Sequence, residues 1–157
     1  MEFIRLNLAC GDRPHSGYLN IDIVPGKGDL CADCLSLPYA DGSVSEILSE
    51  HFIEHLTRGE LYQFFFQARR LLRPGGVLTL RAPCFRCLVE AAANEVITLE
   101  RLDLYLFARH LHPNDFHRQG IWESKLLRLC AGYGFSEPSF QHGDEFEISM
   151  DTRRENS

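Results

Sequence analysis

The sequence predicts an α/β domain built on a mostly parallel sheet with helices over both faces. Three observations carry that expectation. Strand-like and helix-like runs alternate along the chain, the strand-like runs are nearly continuous in apolar character, and small-residue turns follow them. The 157 residues suffice for one domain with a sizeable core and leave little room for two. We expect that domain over residues 1–150, with 151–157 as a polar C-terminal tail.

The elements follow in order. Residues 3–9 read as a buried strand that stops at Gly11, and residues 18–23 as a second that stops at Pro25-Gly26. A short third strand is expected at 30–32, a fourth at 45–49 and a fifth at 76–82, the last framed by Pro74-Gly75 and Pro83. Segments near 139–141 and 146–150 complete the sheet. Thr57-Arg58-Gly59-Glu60 has the spacing of a capping box, and Leu61, Phe64, Phe65, Ala68, Leu71 and Leu72 then recur on one helical face. Arg69, Arg70 and Arg73 suit the negative end of that helix. Further helices are expected at 88–111 and 122–131, with Gly132 or Gly134 as the C-terminal cap. Only six residues separate Ile23 from Leu30, too few for a helical crossover. The helix normally found there must be missing, or the third strand is rudimentary.

Composition narrows the function. Apolar residues make up 45% and charged residues 24%, globular rather than disordered proportions. A formal net charge of -6 argues against a mainly electrostatic nucleic-acid binder. No run is long enough to span a bilayer, and the first residues lack a signal peptide's pattern, so the expected setting is cytoplasmic. The six cysteines should then stay reduced, and no disulfide is expected.

The chemistry should lie at the carboxyl ends of the strands. There the chain offers Ala9-Cys10-Gly11, then Asp22-Ile23, Asp33-Cys34 and Ser49-Glu50-His51. A small-residue turn lets a ligand approach the backbone, and a carboxylate at the end of the next strand can accept both hydroxyls of a ribose, which points to a nucleoside-bearing cofactor.

Five segments in this order resemble the small class I S-adenosylmethionine-dependent methyltransferases, especially their type 11 group. They are Leu6-Asn7-Leu8-Ala9-Cys10-Gly11, Asn20-Ile21-Asp22, the stretch from Asp33-Cys34 through Leu37-Pro38-Tyr39, His51-Phe52-Ile53-Glu54-His55-Leu56, and Leu71-Leu72-Arg73-Pro74-Gly75-Gly76. The resemblance implies a three-layer Rossmann-like methyltransferase fold with reduced N-terminal helices. It also implies transfer of a methyl group from S-adenosylmethionine, leaving S-adenosylhomocysteine, to an O or N atom of a small-molecule acceptor. Asn7, Ala9, Cys10 and Gly11 would then approach the cofactor's methionine portion, Asp22 its ribose, and Asp33 and Cys34 its adenine, with Ile23 a further cofactor-binding position. Ser49, Glu50 and His51 would line the methyl-transfer face, with His51 the candidate base. Where the family has an acidic residue and further glycines, this chain has Asn7, Ala9 and Arg13, and only Gly11 is kept. That departure supports an alternative: a non-catalytic cofactor-binding or protein-interaction domain of the same fold.

Two Cys-x-x-Cys pairs, Cys31/Cys34 and Cys84/Cys87, would suit zinc if they met. The expected sheet puts them on opposite wings, nearly 20 Å apart, so no metal is expected. His110, His112 and His117 are read as part of a polar lid near Pro113-Asn114-Asp115, able to orient an acceptor. Glu54 and His55 are expected to brace the following helix. No nucleic-acid or membrane partner is expected, and either a monomer or a homodimer fits.

Overall fold

The computed structural model describes residues 3–110 and 115–156. The lid positions His112, Pro113 and Asn114 lie outside them. Seven strands form one sheet in the order β3-β2-β1-β4-β5-β7-β6. They are β1 (Ile4–Leu8), β2 (Leu19–Asp22), β3 (Leu30–Cys31), β4 (Val44–Glu50), β5 (Leu72–Pro83), β6 (Ser139–His142) and β7 (Glu147–Arg153). The first five run parallel and β7 is antiparallel to both neighbours. Four helices follow β4: α1 (Arg58–Leu71), α2 (Phe85–Ala93), α3 (Leu99–Phe107) and α4 (Glu123–Gly132). A single 3-10 turn, Ile53–His55, bridges β4 to α1.

Strand register explains how the sheet is covered. Leu6, Leu8, Ile21, Ile47, Leu78, Leu80, Ile148 and Met150 share one face through their pairings, and all are buried. Against them α1 lays Leu61, Phe64, Phe65, Ala68 and Leu71, and α4 lays Leu126, Leu129 and Cys130. Phe65 meets both Tyr133 and Phe135 at the end of α4. Of the three successive phenylalanines only Phe66 is exposed, as helical geometry requires.

The opposite face carries Arg5, Asn7, Glu46, Glu50, Thr79, Arg81, Ser149 and Asp151, alternate residues of the same strands. The reduction of the N-terminal helices is thorough here: among the described residues no helix lies between β1 and β4. The loop from β1 to β2 covers part of this face instead. The Tyr18 hydroxyl donates to the Glu46 carboxylate, the Arg5 guanidinium lies 4.8 Å from the Tyr18 ring centroid, and His15 Nε2 sits 2.9 Å from Glu50. A polar face of this kind was written in β5 itself, where Leu78, Leu80 and Ala82 alternate with Thr79 and Arg81.

Several boundaries differ from expectation. The connection from β2 to β3, seven residues from Ile23 to Asp29, is a turn, and it passes so close to β2 that a Cβ on Gly28 would sit 2.6 Å from the Asn20 carbonyl oxygen. Helix 88–111 is two helices, because Glu95 takes φ +57 after α2 and Thr98 begins α3 by accepting from the Arg101 N–H at 3.2 Å. Arg73 belongs to β5 rather than to the end of α1. Gly132 lies inside α4, and Gly134, at φ +69, is the left-handed residue. The tail expected from residue 151 is also corrected, since β7 continues to Arg153 and Thr152 is buried beside Ser136, whose carbonyl accepts from its hydroxyl at 2.7 Å.

Candidate functional site

Strand order places β3, β2, β1 and β4 side by side, so the four segments after them meet on one edge of the sheet. Ala9 (φ +55) and Gly11 (φ +51) both take the left-handed conformation. That tight turn aims the Gly11 N–H at Asp22 Oδ2, 2.8 Å away. The other carboxylate oxygen of Asp22 accepts from the Val24 N–H at 2.8 Å. Asp22 is only 6% exposed, and each oxygen keeps one lone pair for a further donor. A Cβ added to Gly11 meets nothing within 4 Å, so the turn borders open space. Ile23, 58% exposed, offers an apolar surface next to the carboxylate.

Asp33 uses Oδ1 to accept from the Leu35 N–H at 2.8 Å and stays exposed, which leaves Oδ2 for an amino group. Cys34 is buried beside Ala9, and its thiol is pushed up to about 12 by burial, with the Asp22 and Asp33 carboxylates adding to the effect. Burial, then Asp22, likewise raises Cys10. Neither thiol is a nucleophile near neutral pH.

Other expected site residues are engaged elsewhere. Asn7 is buried, and its amide donates to the Arg13 carbonyl at 3.0 Å and to Asn20 Oδ1 at 2.9 Å. It shapes the turn from within the protein. The Ser49 hydroxyl is spent on the Leu8 carbonyl at 3.1 Å. Glu50 turns to the polar face, where Arg81 Nη1 at 2.6 Å and His15 Nε2 at 2.9 Å hold its two oxygens.

His51 takes φ +52, its N–H held by the Arg81 carbonyl at 2.9 Å. Its ring lies between two carboxylates, with Nε2 2.8 Å from Glu147 and Nδ1 3.6 Å from Glu54. Its pKa is raised, chiefly by Glu54, while partial burial opposes the shift and Glu147 adds to it. Glu147 escaped the sequence reading because it comes from β7, 96 positions along the chain.

Beyond the 3-10 turn, Glu54 does not brace α1. That helix is capped by Thr57 and Glu60 as expected, while Glu54 is buried with both carboxylate oxygens lacking a hydrogen-bond partner. A cavity of about 220 Å³ opens beside it, lined among others by Pro83, Phe85, Leu88, Phe107 and His117. The cavity lies at the carboxyl ends of β4 and β5, beneath α2 and α3. His117 and His55 stack edge to face, with ring centroids 4.8 Å apart. Burial is the main reason the His55 pKa is lowered. His110 instead stacks on Phe116 at 4.2 Å.

The two Cys-x-x-Cys pairs stay apart, on strands four positions removed from one another, or about 19 Å at normal strand spacing. The expectation of no disulfide is corrected, for Cys84 and Cys87 are joined at the start of α2. The α-helical turn brings residues three apart within bonding reach, with Cα atoms 5.3 Å apart. Cys10, Cys31, Cys34 and Cys130 are free. No helix among the described residues is long and apolar enough to cross a membrane.

Residues 13–80 match the family model described as a methyltransferase domain. A methyltransferase of Methanosarcina mazei described as S-adenosylmethionine-dependent superposes with a TM-score of 0.69 at 16% identity, covering 97% of this chain and 92% of its own. The 1,6-didemethyltoxoflavin-N1-methyltransferase of Burkholderia thailandensis, solved with 1,6-didemethyltoxoflavin and S-adenosylhomocysteine, gives 0.65 at 13% identity over 98% and 71% of the two chains. An uncharacterised 37.1 kDa protein in transposon TN4556 of Streptomyces fradiae is 28% identical over 110 residues, 68% of this chain. The match spans only 28% of that relative's length. The chain thus resembles the methyltransferase-domain family in sequence over residues 13–80 and shares the fold of an S-adenosylmethionine-dependent methyltransferase along nearly its whole length.

Proposed function

We propose that the protein transfers a methyl group from S-adenosylmethionine to an O or N atom of a small-molecule acceptor. The observation that carries this is the convergence of the left-handed turn at Ala9 and Gly11, the buried Asp22 carboxylate, and Asp33 on one open edge of the sheet. These residues fit the cofactor: open space at Gly11 for the methionine portion, free lone pairs on Asp22 for ribose hydroxyls, exposed Ile23 against the adenine plane, and Asp33 for its amino group. When bound, S-adenosylmethionine supplies an electrophilic methyl group, which an acceptor lone pair takes as the carbon–sulfur bond breaks. The 220 Å³ cavity at the ends of β4 and β5 is the acceptor's place in this scheme, and its volume suits a small molecule rather than a macromolecule.

The chain's part is largely positioning, which by itself lowers such a barrier substantially. Asp22 and the Gly11 turn fix the donor. His51, held between Glu147 and Glu54, is the group nearest the strand end that can take a proton from a hydroxyl or ammonium acceptor.

The test is calorimetric titration with S-adenosylmethionine and S-adenosylhomocysteine. Micromolar binding by the native protein is expected, weakened at least about tenfold in Asp22→Asn, which keeps the shape and one acceptor oxygen. No binding to a protein shown to be folded would defeat the proposal. Binding without turnover across a panel of hydroxyl and amine acceptors would favour the non-catalytic alternative, which the committed side chains of Asn7, Ser49 and Glu50 support.

A further inference from the structure

Glu54 is the least compensated charged side chain of the site. Its residue is 2% exposed, neither carboxylate oxygen has a hydrogen-bond partner, and the His51 ring nitrogen Nδ1 is 3.6 Å away. A buried carboxylate in this condition is costly unless a cation neutralises it. Two imidazoles stand beside it, and both are held in the same way. His55 Nδ1 lies 3.1 Å from the Phe116 carbonyl oxygen, and His117 Nδ1 lies 2.7 Å from that of Tyr105. A carbonyl only accepts, so each Nδ1 carries the proton, and in the neutral ring each Nε2 keeps its lone pair. Imidazoles that bind metals are oriented by this same kind of contact to a main-chain carbonyl.

The donor atoms of Glu54, His55 and His117 lie within 4.8 Å of one another. Small side-chain rotations close that to the roughly 3.3 Å that separates ligands about 2 Å from a tetrahedral ion. The backbone beneath is fixed: the Arg118 N–H donates to the Glu54 carbonyl at 2.8 Å, and the Gln119 amide donates to the Ile53 and Leu56 carbonyls at 3.2 and 2.8 Å. The segment carrying His117 is thus fastened along the turn carrying Glu54 and His55.

We propose that Glu54, His55 and His117 bind a divalent transition-metal ion that keeps an open coordination position toward the 220 Å³ cavity. Two nitrogens and one carboxylate favour Mn²⁺, Fe²⁺, Co²⁺ or Zn²⁺ over Mg²⁺ or Ca²⁺. Glu54 and His117 both line the cavity, so a ligand there reaches the ion directly. An ion at this place selects an acceptor with a hydroxyl or similar oxygen donor, whose acidity it raises. That selection rests on the methyltransferase reading, whereas the metal site does not.

The test is titration with Co²⁺, read by its visible d–d absorption and by calorimetry, on the Cys84→Ser/Cys87→Ser protein. Those substitutions remove a second cluster, Cys84, Cys87 and His142, whose ligand atoms also lie within 4.8 Å of one another and would compete for Co²⁺ once reduced. One Co²⁺ per chain is expected, with affinity lowered at least about tenfold by Glu54→Gln and by His117→Ala separately, and unchanged by His110→Ala. Glu54→Gln removes only a buried charge and is expected to fold. Absence of binding, or binding unaltered by Glu54→Gln and His117→Ala in proteins shown to be folded, overturns the proposal. S-adenosylhomocysteine binding, measured without metal, separates the two readings. Co²⁺ binding without it supports the metal site and defeats the methyltransferase reading, and the reverse result defeats the metal site alone.

Discussion

The cysteines show how strongly position decides the chemistry of a single residue type. Cys31 is exposed at the edge strand, whereas Cys34, three residues later, is buried under Ala9 with a thiol pushed up to about 12. At pH 8 the Cys34 thiolate fraction is then negligible, and the thiolate is the reactive form. Alkylation of the native protein at pH 8, followed by peptide mass mapping, is expected to label Cys31 first and to spare Cys34. Labelling of Cys34 should rise only as pH approaches 12 or when the protein is unfolded. Rapid labelling of Cys34 at pH 8 would contradict its burial. Asn7 gives a second prediction at this scale. Its amide ties the turn after β1 to Asn20 and to the Arg13 carbonyl, so Asn7→Ala removes both hydrogen bonds and should cost about 1–3 kcal/mol in denaturant unfolding.

At the scale of elements, α1 is the part of the fold most legible in the sequence. The Thr57 hydroxyl accepts from the Glu60 N–H at 3.3 Å, and Glu60 accepts from the Thr57 N–H at 2.7 Å. All four groups lie within one turn, so residue spacing alone reveals them. Thr57 is exposed, and Thr57→Ala should cost about 1 kcal/mol, a fall of about 2–4 °C in Tm for a domain of this size. A larger loss would mean that the turn at Ile53–His55 depends on the cap as well. The division between α2 and α3 was not legible. Leu88, Ala91, Ile97, Leu102 and Tyr105 are apolar at near-helical spacing, and they do pack together, but as a small cluster between two helices rather than as one face.

For the whole molecule, the uneven coverage of the sheet sets the pattern of stability. Beneath α1 and α4 lies a continuous core, while the polar face is covered by a loop held through Tyr18 and His15. Native-state hydrogen exchange is therefore expected to be slowest in β4 and β5, which are paired on both sides, and fastest in the two-residue β3 and the turn before it. Equal protection in β3 and β4 would mean that something further covers that edge. Phe65→Ala, at the centre of the covered face and fully buried, should cost about 3–5 kcal/mol, measured by denaturant unfolding.

The sequence by itself determined the alternation of strands and helices, the cap of α1, and the order of segments at the carboxyl ends of the first four strands. Each of these depends on interactions within a few residues, or on a periodicity that a short window displays. Tertiary structure alone decided which side chains meet. It turned Glu50 to Arg81 and His15, set Glu147 of β7 against His51, and brought His117 to Glu54 and His55 across more than sixty positions. Such pairings are set by strand order and by where the segment after α3 returns to the sheet edge. The orphaned carboxylate of Glu54 exists only once that return has buried it.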